Sequence, residues 1–145
     1  MYSGDQQVTI ERLDSSVYVI PTDFPESDGT LAWDRTTLVI VEATAGGRRS
    51  LGYTYADMAT ARLIKDLLAG VVLGRDAMAV SGAWAAMVHA IRNLGRPGIV
   101  SMAISAVDAA LSVDQRLPYC ANTSSRRKPQ NRRWGCAFRI CWTRC

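Results

Sequence analysis

The chain has 145 residues, of which 48% are apolar and 21% charged, so its length suits one domain with a core of ordinary size. It has no stretch of about 18 apolar residues, which excludes a membrane-spanning helix and a membrane partner. Its first residues lack the basic start and apolar run of a signal peptide, so we expect a cytoplasmic protein. The net charge of +4 is uneven: residues 1–111 carry 9 basic and 12 acidic side chains, whereas residues 112–145 carry 8 basic side chains, 1 acidic side chain and all four cysteines.

Three strands are predicted in the first third of the chain. Residues 8–21 alternate roughly and are rich in Val, Ile and Tyr, and residues 36–44 are nearly continuous and β-branched, which is typical of a well-buried strand. Gly46 and Gly47 suit a tight hairpin turn, after which residues 49–54 return as the third strand. We therefore expect an antiparallel three-stranded meander.

The segment between the first two predicted strands is unusual in length. Residues 22–34 contain Pro25 and Gly29, three acidic residues before Thr30 and two aromatic residues. This composition predicts a long loop, and loops of such length are usually functional.

Helical spacing replaces strand spacing after residue 56. Asp57 is the predicted N-cap of a first helix that ends at Gly70, a second helix covers about 79–94, and Pro97 lies early in a third helix that ends at Leu111. The predicted apolar stripes are Trp84, Met87, Val88, Ile91 and Leu94 in the second helix, and Ile99, Met102, Ala106, Val107 and Ala110 in the third. The order of elements indicates an α+β domain with helices stacked on one face of an antiparallel sheet.

Five stretches carry a recognisable pattern: LVIVEATAGG (38–47), LGYTYA (51–56), GRD (74–76), RNLGRPGI (92–99) and MAISAVDAAL (102–111), the last being the most specific. Together they resemble the N-terminal capping domain of the enolase superfamily, in its mandelate racemase/muconate lactonizing group. The resemblance covers residues 8–111 and leaves residues 1–7 as an extension. It implies an enolase N-terminal-domain-like fold, in which a three-stranded β-meander is followed by three helices.

The resemblance also implies what the complete enzyme does. Family members hold Mg²⁺ in a TIM barrel, where it stabilises the enediolate formed when a base removes the proton beside a carboxylate. A hydroxy or sugar acid would be the substrate of such a racemase or dehydratase. This chain has no Lys-x-Lys motif, and its only lysines are Lys65 and Lys128. We therefore assign it no catalytic and no metal-binding residue. We expect it to be inactive without a barrel domain as its partner, and to be marginally stable or to form a homo-oligomer.

Two segments of the capping domain are implied to cover the barrel mouth and to set substrate specificity. One lies between the first two strands, and the other follows the third strand. Acidic residues there would accept hydrogen bonds from sugar hydroxyls, and aromatic residues would exclude water. Solvated turn residues and edge packing are the alternative explanation. The candidate substrate-binding residues are Thr22, Asp23, Phe24, Glu26, Ser27, Asp28, Tyr53, Thr54 and Tyr55.

Residues 112–145 show no sustained period, and the run SSRRKPQNRR is typical of a disordered tail. Periodicity, charge, cysteine usage and family resemblance all break after Leu111. This favours a truncated capping domain followed by a sequence translated in the wrong frame. The alternative is a stand-alone interaction module whose tail binds nucleic acid or zinc. Its ligands would come from the arginine run with Trp134 and Trp142, or from Cys120, Cys136, Cys141 and Cys145.

Overall fold

The computed structural model describes residues 7–123, with side chains through residue 112. The first half forms one sheet of three antiparallel strands, β1 (Ile10–Ser27), β2 (Ala32–Ala45) and β3 (Arg48–Tyr55), in that spatial order. The predicted meander is confirmed. Each strand is longer than predicted. The largest difference is in β1 and β2, which continue through most of the segment expected to be a loop.

The turn between β2 and β3 depends on its two glycines. Gly46 has φ +56° and Gly47 has φ +72°, the left-handed pair that a two-residue hairpin turn needs. At Gly46 a Cβ would also lie 2.9 Å from Cγ1 of Val8. The sequence prediction of a tight turn at these positions is therefore confirmed.

The first predicted helix is one continuous rod with three local geometries. It comprises α1 (Met58–Leu63), a π-helical turn (Ile64–Leu68) and α2 (Ala69–Val72). Asp57 is its N-cap as predicted, because a carboxylate oxygen accepts a hydrogen bond of 2.8 Å from the backbone N–H of Ala59.

The predicted end of this helix is wrong. The helix runs through Gly70 to Val72. Gly74, with φ +79°, is the residue that turns the chain away. Glycine inside a helix lowers its stability only modestly, whereas a glycine with positive φ is typical of a helix end.

The last two helices differ from their predicted bounds in opposite ways. Helix α3 (Val80–Ala90) is shorter than expected, whereas α4 (Ile99–Thr123) continues well past Leu111. Pro97 does not lie inside α4, because Gly98 adopts φ +82° and the helix begins after it. The change of composition after Leu111 therefore does not coincide with a helix end. Of the predicted disordered tail, residues 112–145, the part up to residue 123 is helical, which corrects the prediction there. Residues 124–145 lie outside the described part of the chain.

The helices pack on one face of the sheet, called here the inner face. Val39 and Val41 of β2 are fully buried against Leu68 of the π-helical turn and Val107 of α4, with which they share one core cluster. Packing of α4 against β3 is close because the contacting side chains are small: Ala103, Ala106 and Ala110 are all buried. The α+β architecture is thus confirmed.

The predicted apolar stripes are only partly correct. Met87 and Ile91 of the second helix, and Ala106, Val107 and Ala110 of the third, are buried. Four other members are substantially exposed. Leu94 lies beyond the end of α3, and the side chains that face the core include Ala83 of α3 and Val100 and Ala103 of α4. The exposed residues are Trp84, Leu94, Ile99 and Met102.

Candidate functional site at one end of the sheet

The two predicted lid segments lie at the same end of the sheet. Because β1 and β3 run in the same direction, the β1–β2 connection and the C-terminal end of β3 lie at the same end of the sheet. Tyr55 pairs with Leu38 of β2, and Leu38 pairs with Tyr18 of β1. The topology therefore brings together two candidate segments that lie about twenty-five residues apart in the sequence.

The first segment is not the loop that the sequence predicted. It is a β-hairpin arm, defined here as residues 22–33, which extends β1 and β2 beyond the rest of the sheet. Glu26 pairs with Trp33, and Ser27 pairs with Ala32. Proline and acidic residues indicated a loop. They are tolerated in the arm because it lies at the periphery of the sheet, where a strand can lack some hydrogen bonds to its neighbour and can carry charged side chains.

A bulge interrupts the base of the arm. Pro21 pairs with Arg35 and Glu26 with Trp33, so five steps along β1 match only two along β2. The extra residues, Thr22 to Pro25, include three candidate residues, and a bulge of this kind is typical of places where a sheet redirects side chains. Phe24 is 80% exposed. The bulge lines an open groove bounded by Ile20, Pro21, Thr22, Asp23, Phe24 and Glu26.

Asp28 forms the tip of the arm and is held by the turn that it makes. Its Oδ1 accepts hydrogen bonds from the Thr30 hydroxyl at 2.7 Å and from the backbone N–H groups of Thr30 and Leu31 at 2.9 Å each. These three donors, the Thr30 hydroxyl first, lower the pKa of Asp28 to about 2. Gly29, with φ +89°, completes the turn. The carboxylate at this position thus serves the arm's own conformation.

Glu26 also has a partner within the arm. Its Oε2 accepts a hydrogen bond of 2.8 Å from the indole N–H of Trp33, its cross-strand neighbour. The sequence indicated an acidic loop but not this pair. Asp23 differs from Glu26 and Asp28, since its carboxylate has no hydrogen-bond or ion-pair partner among the described residues.

The second segment places two tyrosines on the face of the sheet opposite the helices, called here the outer face. Tyr53 and Tyr55 are 59% and 61% exposed, and their ring centroids lie 6.1 Å apart in an edge-to-face arrangement. Thr54 alternates with them and is half-buried on the inner face. Of the second segment, only the two tyrosines therefore lie on the open face next to the arm.

The outer face continues this apolar surface beyond the predicted residues. Tyr18, Ile20 and Leu51 are exposed, and Leu38 and Ile40 of β2 lie between them in the register. Sequence reasoning did not include these residues. The signal was present, because residues 17–20 of β1 and 38–41 of β2 are runs of consecutive apolar residues, which indicate that both faces meet apolar surroundings.

No group of three His, Cys, Asp or Glu side chains able to hold a metal ion occurs within the described residues. No helix in this part of the chain is long and apolar enough to cross a membrane. The cysteine and arginine-rich features of the alternative prediction lie outside the residues whose side chains are described.

The comparisons with known proteins point to one superfamily. A solved mandelate racemase/muconate lactonizing enzyme-like protein from Rubrobacter xylanophilus is 54% identical, superposes with a TM-score of 0.73, and matches over 76% of this chain and 31% of its own. A solved racemase from Streptomyces coelicolor, with bound magnesium, is 35% identical with a TM-score of 0.68, over 70% of this chain and 30% of its own. No family model matches the chain.

A curated relative agrees with these structures. The 3,6-anhydro-alpha-L-galactonate cycloisomerase of Streptomyces coelicolor is 33% identical over 108 residues, which are 70% of this chain and 30% of that protein. The chain therefore spans less than a third of the length of these relatives.

Proposed function

Since the described residues form an N-terminal capping domain of the mandelate racemase/muconate lactonizing group of the enolase superfamily, we propose that this chain supplies the substrate-specificity lid of such an enzyme. The parent reaction is proposed to be racemisation or dehydration of a hydroxy or sugar acid. The observation that carries the proposal is the meeting of the arm and the Tyr53–Tyr55 segment at one end of the sheet. A cytoplasmic location stays a prediction.

We propose that the exposed or unpaired side chains of the lid meet the substrate, whereas those already hydrogen-bonded within the arm hold its shape. Phe24, Tyr53 and Tyr55 are exposed aromatic surfaces that would exclude water from the reacting centre when the lid meets its barrel. Asp23 would accept hydrogen bonds from substrate hydroxyls. Thr22 supports a polar role for the bulge, because its hydroxyl is shielded from solvent and has no hydrogen-bond partner among the described residues.

The other polar candidates are proposed to act by shaping the arm. Glu26 and Asp28 are occupied by Trp33 and by the tip turn, so they hold the bulge in place before substrate arrives. Ser27 lies between these two acids on β1, and Thr54 lies between Tyr53 and Tyr55 on β3. A preorganised arm lowers the entropic cost of closing the lid over the substrate.

The magnesium ion expected for the parent enzyme does not fit the residues described here, which contain no cluster of ligands for it. We propose that the ion belongs to the barrel, where it would stabilise the charge that develops when the proton is removed. The catalytic base is likewise proposed to lie on the barrel, so this domain would position substrate and exclude water and take no part in proton transfer.

A chimera tests this function directly. Residues 8–111 replace the corresponding capping domain of the Rubrobacter xylanophilus protein, and the product is assayed with magnesium against a panel of hydroxy and sugar acids. We expect turnover by the chimera and none by the 145-residue chain alone. Turnover by the chain alone, or a folded chimera inactive on every acid of the panel, would contradict the proposal.

A further inference from the structure

Trp33 belongs to the arm but lies on the opposite face of the sheet from the two tyrosines of the second segment. It is half-buried and falls in the same alternate row of β2 as the buried residues Val39 and Val41. Since alternate residues of a strand point to the same face, Trp33 lies on the inner face, whereas Tyr53 and Tyr55 lie on the outer one. A contribution of Trp33 to the lid must therefore differ from that of the exposed tyrosines.

The arm joins the rest of the sheet through two paired rows with the bulge between them. Pro21 pairs with Arg35 before the bulge, and Glu26 pairs with Trp33 after it. The register passes over the residues from Thr22 to Pro25. The Glu26–Trp33 row is thus the first one beyond the bulge, and its register decides how many residues of β1 the bulge contains.

A side-chain hydrogen bond reinforces the pairing in this row. The indole N–H of Trp33 donates to Oε2 of Glu26 at 2.8 Å. The acceptor is a carboxylate, and a hydrogen bond to an ionised acceptor is stronger than one between neutral groups. One further row, Ser27 with Ala32, follows before the turn at the tip. The arm beyond the bulge is therefore short, and the Trp33–Glu26 contact is a large part of what holds it in register.

We infer that Trp33 is a positioning residue of the lid, which fixes the conformation of the bulge from the inner face and thereby sets which acids the enzyme prefers. The inference rests on the proposed lid function and adds to it a residue that acts through Glu26. Asp23 and Phe24 lie in the bulge, so a change in its conformation moves the unpaired carboxylate and the exposed ring together. Acids that differ in size or in their hydroxyl groups are then affected unequally.

The effect on the bulge is tested in the 145-residue chain by NMR, without any activity. Trp33→Phe removes the donor and keeps an aromatic ring, and Glu26→Leu removes the acceptor. Both variants are expected to shift the amide signals of residues 22–25, and Glu26→Gln, which keeps an acceptor oxygen, is expected to shift them less. Trp84→Phe makes the same replacement on α3 and is expected to leave those signals in place.

The effect on preference is tested in the chimera with the Rubrobacter xylanophilus barrel. The quantity measured is the ratio of kcat/KM between the two best acids of the panel. A smaller folded fraction lowers both values equally and leaves this ratio unchanged, whereas a displaced bulge changes it. We expect Trp33→Phe and Glu26→Leu to change the ratio by about threefold or more, Glu26→Gln to change it less, and Trp84→Phe to leave it unchanged.

The outcomes separate this inference from the proposed function. An active chimera whose folded Trp33→Phe variant keeps the same ratio would overturn the inference and leave the lid function standing. Unmoved signals of residues 22–25 in the Trp33→Phe chain would overturn it as well. An unsubstituted chimera without turnover would remove the proposed function and the inference with it.

Discussion

Gly52 of β3 lies directly beneath Ala106 of α4, and the two backbones touch. A Cβ built on Gly52 would lie 2.1 Å from the carbonyl oxygen of Ala106 and 2.6 Å from the backbone nitrogen of Ala110. Any side chain at this position would force the helix off the sheet. The absence of a Cβ at Gly52 thus sets the distance between the two layers of the domain.

Replacement of Gly52 by Ala should therefore be strongly destabilising. Because the atoms in the way are backbone and cannot rotate aside, we expect a loss of about 3 kcal/mol or more in the free energy of unfolding. Urea denaturation followed by circular dichroism measures the change.

Gly82→Ala is the matched control. It makes the same substitution in α3, where nothing lies within 4 Å of the added Cβ. Helix propensity predicts a gain of up to about 1 kcal/mol there. Equal effects at the two glycines would show that α4 does not approach β3 as closely as described.

Thr60 is a buried position at which a substitution is expected not to destabilise the domain. Its side chain is fully buried in α1, and its hydroxyl has no hydrogen-bond partner among the described residues. Thr60→Val removes the unpaired hydroxyl and keeps the shape, so the free energy of unfolding should stay level or rise by about 1 kcal/mol. Thr60→Ala, which also removes a methyl group, should instead destabilise the domain. A loss of stability in the valine variant comparable to that in the alanine variant would mean that the hydroxyl has a partner.

The tip of the arm should respond to pH through Asp28. Its pKa in the folded chain, about 2, lies below the ordinary value of 3.8, so its contribution to the turn is fully present above pH 4. That contribution is lost as the pH falls through about 2. The NMR signals of Gly29 and Thr30 should accordingly titrate with a midpoint near 2, whereas a midpoint near the ordinary value would show that Asp28 does not hold the turn.

The sequence predicted the sheet and the order of the elements better than the residues at which individual elements end. The meander followed from β-branched runs separated by Gly46 and Gly47, and the α+β order followed from the change to helical spacing. The end of the first helix was misplaced at Gly70, since sequence alone does not show whether a glycine adopts a left-handed or a helical conformation. Gly74 is the glycine with positive φ.

The two segments of the candidate site came from the family resemblance, and the form that they take was not predicted. Family resemblance located both segments, and the topology brings them to one end of the sheet. Composition indicated a loop where the structure has a paired arm, because the cross-strand contact of Trp33 with Glu26 has no local signature. The apolar outer face was not predicted, although the nearly continuous run of residues 36–44 indicated a well-buried strand, because such a run does not show which residues of the neighbouring strands share its outer face.

The central claim, that the arm contacts substrate as a lid, is tested most directly by Phe24→Ala in the chimera with the Rubrobacter xylanophilus barrel. The quantity measured is kcat/KM on the preferred acid, and Leu94→Ala, an exposed position on the α3–α4 connection, is the control. We expect kcat/KM to fall by about tenfold or more for Phe24→Ala, because water enters the closed site, and to stay unchanged for the control. A folded Phe24→Ala chimera with undiminished kcat/KM and an unchanged order of preferred acids would contradict the claim.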